Sequence, residues 1–285
     1  SIKYFLSIPK INYQIHKDNL FSWFDAGLAL ISRNPAAAMA YFSLESKQAR
    51  ENGKDTSPII ALRDLASPMK ILVQAMTGRP MGIRSLREAE VKMQFSPGPW
   101  PFTDGEFLFL PEFFNEFSSA DLNFKAFKIS AAHQGGQVEF GTFSLSLADV
   151  SEYFPAEIIK QTLLAVMDRE KPVNPLDAFF NLFPKRNLAR DLFTALEGTR
   201  IDHRLRRNYR GLSEDMSLLL PEIVKNRPKI NSLRLQEAFV EALLRLGALG
   251  KIGEEIPRAI SLPLERMATR IESLGRDDAG VGDSA

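Results

Sequence analysis

The 285-residue chain contains no cysteine, which excludes disulfides, thiolate metal ligands and a cysteine nucleophile together. That usage suits a cytoplasmic protein. Histidine is almost as scarce: His16, His133 and His203 are the three present, and no His-Asp-Ser constellation can be assembled around them. No apolar run approaches the roughly 20 residues that a membrane span needs, and no basic-then-apolar signal opens the chain. Neither sign of charge dominates, because 36 Lys and Arg against 35 Asp and Glu leave a formal charge of +1. Such a balance supplies no general field for nucleic acid or an anionic membrane, so neither is an expected partner. The G-x-x-x-x-G-K-[ST] phosphate loop, the G-x-S-x-G elbow and the D-x-S-x-S metal signature are all missing, and no fixed-period repeat is present. No cofactor is expected.

What the chain has is apolar bulk, 45% hydrophobic residues including 21 Phe, interrupted regularly by charge. The composition is that of a globular protein. The pattern predicts a mainly α fold with a minor β element: short strands near 106–110 and 138–143. A helix over 18–32 carries Leu20, Phe24, Leu28 and Ile31 on one face, and Asn34-Pro35 starts a second that runs to about Glu51. Ser57-Pro58 and Ser67-Pro68 read as further helix starts, and Gly78 as a stop. The proline-rich run FSPGPWPFT, from Phe95 to Thr103, cannot be regular helix. Phe113, Phe114 and Phe117 fall at near-helical spacing, and a helix is expected from Ser119 to about His133. Further helices are expected after Pro155, from Pro175 through Phe180, from Asn187, and near 213–225, 231–246 and 261–274, with Pro221, Pro228, Pro257 and Pro263 as breaks. These elements group into a helical domain over 1–94, a mostly helical domain over 95–274, and a flexible Gly- and Asp-rich tail over 275–285 that would lead to a further domain.

One stretch, Asn187 to Leu212, organises the rest. Leu188, Leu192 and Leu196, with Phe193, Ile201 and Leu205, give an apolar helical stripe, and Glu197 sits inside it. A carboxylate buried without a partner costs several kcal/mol, so Glu197 needs a cation, a donor or a metal. Arg200, three residues on, is the nearest cation. The sequence therefore predicts a structural polar core of His133, Gln137, Glu197 and Arg200. The cluster Arg200, Arg204, Arg206, Arg207 and Arg210 reads as a solvated face, partly balanced by Asp202 to Arg206 at i, i+4, or as a docking surface for an anionic face of a partner protein.

The run LF-x-x-LE-x-x-RID, followed by Y-x-GL, resembles the segment preceding the von Willebrand A domain in accessory proteins of MoxR-type AAA+ ATPases, such as the nitric oxide reductase accessory protein NorD and the rubisco-activase component CbbO. W-x-x-x-GL and NP-x-x-A-x-x-YF-x-LES between Trp23 and Ser46 are similar to that family's N-terminal helical region. DG-x-x-x-x-LP and AHQGGQVEFGTF between Asp104 and Phe143 are similar to its central segment. The resemblance implies a non-enzymatic adaptor that docks on a MoxR-type AAA+ ATPase hexamer and serves a client metalloenzyme or rubisco-like enzyme. It also implies that the von Willebrand A domain would follow Ala285.

A second reading comes from element order. A strand, a helix with a His-containing run, and a later helix with a Glu is also the order of zincin metallopeptidases, in which H-E-x-x-H supplies two zinc ligands and a general base. Here the pentapeptide is His133-Gln134-Gly135-Gly136-Gln137. Gln134 has no titrating group for the base position, and Gln137 is a poor zinc ligand. The alternatives are thus a metal-dependent hydrolase using His133 and Glu197 as ligands, or a degenerate zincin-like core, catalytically inactive, acting as a protein-binding scaffold.

Overall fold

The computed structural model describes residues 15, 20–49, 58–93, 100–167 and 175–285. The chain is mainly α, as the periodicity predicts, and divides into two compact units. The first comprises residues 1–72, 82–102 and 107–131; the second comprises 73–81, 103–106 and 132–285. In chain order the elements are α1 (Leu20–Ile31), α2 (Pro35–Phe42), β1 (Ile60–Ala61), α3 (Leu62–Thr77), β2 (Gly82–Ser85), α4 (Leu86–Met93), β3 (Phe102–Thr103), β4 (Phe107–Leu110), β5 (Phe113–Phe114) and α5 (Ala120–Glu139). They continue with α6 (Ala156–Met167), α7 (Pro175–Phe180), α8 (Arg186–Asn208), α9 (Arg210–Lys225), α10 (Leu235–Leu249) and α11 (Arg258–Leu274).

In the first unit, α1 and α2 form a helical hairpin. The Asn34 carboxamide oxygen accepts from the Ala37 N–H at 3.1 Å, and Pro35 occupies a first-turn position where its missing N–H costs nothing. The hairpin closes on Trp23, Tyr41 and Phe42, with Trp23 stacked on Tyr41 at 5.1 Å and edge-on to Phe42 at 5.5 Å. Gly27 permits this approach, since a Cβ there would lie 3.0 Å from Tyr41 Cδ1 and would overlap the Phe42 ring. β1 pairs antiparallel with β5, Ile60 opposite Phe114. β2 pairs parallel with β4, Gly82 opposite Phe107 and Ser85 opposite Leu110, and α4 lies in the crossover that a parallel pair requires. β4 is the centre of its three-stranded sheet, and its unbroken apolar run fits that place: Leu108, Phe109 and Leu110 are all buried. The buried Asn123 fastens the start of α5. Its oxygen accepts from the N–H groups of Glu116 (3.0 Å) and Phe117 (2.9 Å), and its nitrogen donates to the carbonyls of Pro58 (2.9 Å) and Phe117 (2.8 Å).

The second unit is built around α8. Ala195 and Leu196 join Ala238, Ala242 and Leu243 of α10 and Ile260, Leu264, Ile271 and Leu274 of α11 in one core. Ala189 and Phe193 join Leu145, Val150, Phe179, Phe180, Leu182 and Val281 in another. Each large apolar side chain so buried is worth about 1.5–3 kcal/mol, which is what holds a helix rich in arginine in the middle of the unit. Two glycines let helices come close to it. A Cβ at Gly136 would lie 3.0 Å from Ile201 Cγ2, and one at Gly247 would lie 3.0 Å from Thr199 Cβ and closer still to its hydroxyl.

Several expectations need correction. The strand expected near 138–143 is the end of α5 followed by a left-handed Gly141 (φ 75°) and a short 3-10 turn over Thr142–Ser144. α5 runs six residues past His133 because the packing at Gly136 outweighs the low helix propensity of Gly135-Gly136. Phe113-Phe114 is strand, paired with β1. Pro68 lies inside α3, so Ser67-Pro68 starts no helix, and Pro221 and Pro263 lie inside α9 and α11 and are not breaks. α2 ends at Phe42, well before Glu51, because Leu44 takes the left-handed conformation (φ 58°) that glycine ordinarily supplies. The unit boundary does not fall near 94, since β2 and β4 pair across it. The 275–285 segment, expected to be flexible, is folded: Ala279, Val281 and Ser284 are buried, and a 3-10 turn spans Val281–Asp283. Expectations on His16, Asp18, Glu51, Ser57 and 95–99 lie outside the described residues.

Candidate functional site: a closed polar cluster on the central helix

Glu197 and Arg200 share one face of α8 because three residues nearly complete a turn. Both are almost fully buried, at 3% and 1% exposure. They meet as a two-pronged fork: Arg200 Nε donates to Glu197 Oε2 at 2.8 Å and Arg200 Nη2 to Oε1 at 2.6 Å. The Thr142 hydroxyl also donates to Glu197 Oε1. Arg200 then spends its remaining donors on main-chain oxygens, Phe140 at 3.0 Å and Ala279 at 3.5 Å. The carboxylate therefore has a counter-charge and three hydrogen bonds in place, the condition under which a buried charge is tolerated.

His133 projects from α5, and its Nδ1 lies 2.9 Å from Asp202 Oδ1 on α8. Burial pushes the imidazole down, but the Asp202 hydrogen bond and the Asp202 and Glu197 charges outweigh it, and the net pKa is raised above 6.5. The ring packs against Gly198, where a Cβ would lie 3.6 Å from Cε1. Gln134 is buried, and its Oε1 has no hydrogen-bond partner among the described residues. Gln137 is half-buried and no hydrogen bond joins it to Glu197 or Arg200, so it stands apart from the polar core expected of it. Among the described residues no group of three or more His, Cys, Asp and Glu stands close enough to hold a metal ion. His133 and Glu197 are neighbours, yet each is committed to a different partner.

The five arginines do not form a common solvent face. Arg200 is buried, beneath the Glu197 fork and the Ala279 carbonyl. Arg204 donates to Ala279 O (3.0 Å), Arg206 to Ala248 O (2.9 Å), and Arg207 to Gly275 O (2.6 Å) and to the Asp277 carboxylate. Asp202 faces His133, so the expected Asp202 to Arg206 pair is not made. Arg210, 95% exposed, pairs with Glu214 at 3.2 Å and with no other acid among the described residues. A helix terminus explains part of this arrangement: the last carbonyls of α10 lack internal partners, and Arg206 supplies one.

A second buried cluster leaves little trace in the sequence. Glu241 receives both Arg227 (2.6–2.9 Å) and Arg245 (2.9 Å), while Arg245 also reaches Glu254 (2.6 Å) and the Pro228 carbonyl (2.8 Å). Burial raises the Glu241 pKa, but the two guanidiniums more than offset it and hold the carboxyl below the usual range. The i, i+4 spacing of Glu241 and Arg245 was the one signal available for it. Beside α8 a cleft of about 470 Å³ is lined by His203, Arg206, Met216, Leu220, Leu246 and Ile271. Burial and the neighbouring Arg206 hold the His203 imidazole below its ordinary pKa, so it faces the cleft largely neutral at pH 7.

No protein-family model matches this chain, and neither a curated protein nor a solved structure does. Among the described residues no helix is long and apolar enough to cross a membrane.

Proposed function

We propose that this chain is a non-enzymatic adaptor that works with a MoxR-type AAA+ ATPase hexamer in the cytoplasm and helps direct ATP-driven remodelling toward a client metalloenzyme or rubisco-like enzyme. The family resemblance of the Asn187–Leu212 stretch supplies the direction. The observation that supports a binding role over a catalytic one is the closure of the Glu197 cluster: its carboxylate already receives the Arg200 fork and the Thr142 hydroxyl. A general base or metal ligand needs a free lone pair aimed at substrate or ion. Apolar side chains on the α1–α2 hairpin offer contact area of the kind partners cover, with Phe21 81% and Met39 53% exposed.

The test is capture of the chain by a MoxR-type ATPase from the same source, with and without ATP. Binding that responds to nucleotide is the expected result, and no binding in either state would sink the adaptor reading. The zincin-relic reading keeps one observation in its favour, the placement of His133 on a helix beside the helix that carries Glu197. Stoichiometric zinc in the chelator-treated, zinc-resupplied protein, lost on His133→Ala or Glu197→Ala, would revive a metal-dependent hydrolase.

A further inference from the structure

The 275–285 segment is held by α8 in the manner of a bound peptide. Arg200, Arg204 and Arg207 recur at i, i+4 and i+7, one row along the helix. Their guanidiniums read the segment's main chain: Arg200 and Arg204 converge on the Ala279 carbonyl at 3.5 and 3.0 Å, and Arg207 takes the Gly275 carbonyl at 2.6 Å. A single acidic side chain is also read, Asp277, by Arg207. Two small side chains are swallowed: Ala279 is fully buried, and Val281 enters the apolar core with Phe179, Phe180 and Phe193. Main-chain acceptors, an acidic contact and a small apolar anchor are the usual components of peptide recognition in a groove. The fit is incomplete in one place, because the Ser284 hydroxyl is 1% exposed as a residue and its Oγ finds no partner among the described residues. A buried hydroxyl left unpaired weakens the segment's own hold.

We infer that the α8 face carrying Arg200, Arg204 and Arg207 is a binding groove for acidic, small-residue peptide segments of the D-D-A-x-V type, occupied in cis by residues 275–285 and open to a partner that presents such a segment and displaces them. The inference stands apart from the ATPase reading, since it concerns the groove and not what carries the ligand. A tethered occupant acts at an effective concentration on the order of mM. It therefore masks the groove from a micromolar peptide until it is loosened.

The probe is a fluorescein-labelled synthetic peptide with the sequence of residues 275–285, titrated by anisotropy against the full chain. Val281→Asp, which puts a charge into the phenylalanine pocket, should release the segment, seen as faster amide exchange over 275–285. Peptide binding should then tighten by at least about tenfold over the unsubstituted chain, the factor by which a mM effective concentration exceeds a Kd of ~0.1 mM, and by more for a tighter peptide. Adding Arg204→Ala and Arg207→Ala should return it to the starting level. A released segment with no gain in binding, or a gain that the arginine changes leave untouched, overturns the inference. If Val281→Asp loses its helical circular dichroism, Asp277→Arg serves instead at a side chain 84% exposed, with the same readouts. Failure of both variants to release the segment would show that no partner displaces it.

Discussion

Replacing Glu197 by Gln keeps the shape of the side chain and removes the charge that balances Arg200. The Arg200 guanidinium, 1% exposed, would then be a buried cation held only by neutral acceptors. Breaking one side of a buried pair costs about 3–5 kcal/mol, and Arg200→Met should cost as much by stranding the carboxylate. The pair Glu197→Leu with Arg200→Met removes both charges but leaves the Thr142 hydroxyl and the Phe140 carbonyl without partners, at ~1–3 kcal/mol each. The double variant should thus lose about 2–6 kcal/mol by that count, clearly less than the two single losses together. Urea unfolding followed by far-UV circular dichroism is the assay. Tryptophan fluorescence would mislead, because Trp23 and Trp100 both belong to the other unit. Single losses under about 1 kcal/mol, the size of an exposed ion pair, or strict additivity in the double variant, would refute the picture of a closed, charge-balanced cluster.

The His133 imidazole has a folded pKa above its unfolded value of 6.5, so its contribution is complete below about pH 6.5 and disappears as pH rises through the folded value. His133→Gln should therefore flatten the fall in Tm as pH rises above about 6.5. Glu241 behaves in the opposite sense: its folded pKa lies below 4.5, so its contribution is present above about pH 4.5 and is lost on acidification. Glu241→Gln should lower the urea midpoint at pH 7 and shrink the acid-induced drop. Gly247→Ala places a methyl against Thr199 and should cost ~1–3 kcal/mol, only partly restored by adding Thr199→Ala, which removes the hydroxyl and methyl but keeps the Cβ at 3.0 Å; a neutral single variant would deny the close approach of α8 and α10. Arg210→Ala, at a residue 95% exposed, should change stability by no more than about 0.5 kcal/mol in the same assay.

Local chemistry was legible and long-range chemistry was not. The stripe that buries Phe193, Leu196, Ile201 and Leu205 repeats with the helical period, and Glu197 announced itself as the charge within it. Its partner Arg200 is three residues away, within reach of any sequence argument. The Asn123 carboxamide, by contrast, reaches Pro58 from 65 positions away, and Arg200 reaches the Ala279 carbonyl from 79. Polar composition made 275–285 read as flexible, since its order comes from arginines supplied by α8 and not from its own sequence. Propensity alone disfavours helix at Gly135-Gly136, whereas the close approach of Ile201 to Gly136 decides the matter. Phe113-Phe114 could have served either period, and only pairing with Ile60 and Ala61 selects the strand.

The strand pairs of the first unit are nested like brackets. β2 meets β4 inside an outer closure in which β1 meets β5. A ribosome releases the chain from its N-terminus, so β1 must wait unpaired through the emergence of every strand between it and β5. The inner parallel pair can form first and shortens the loop that the outer pair has to close, lowering the entropy lost in that step. The α1–α2 hairpin needs no such delay, because its contacts are local. Order of birth along the chain thus sets an order of assembly, hairpin, inner pair, outer pair, with the two-residue strand Ile60–Ala61 the last to find its place.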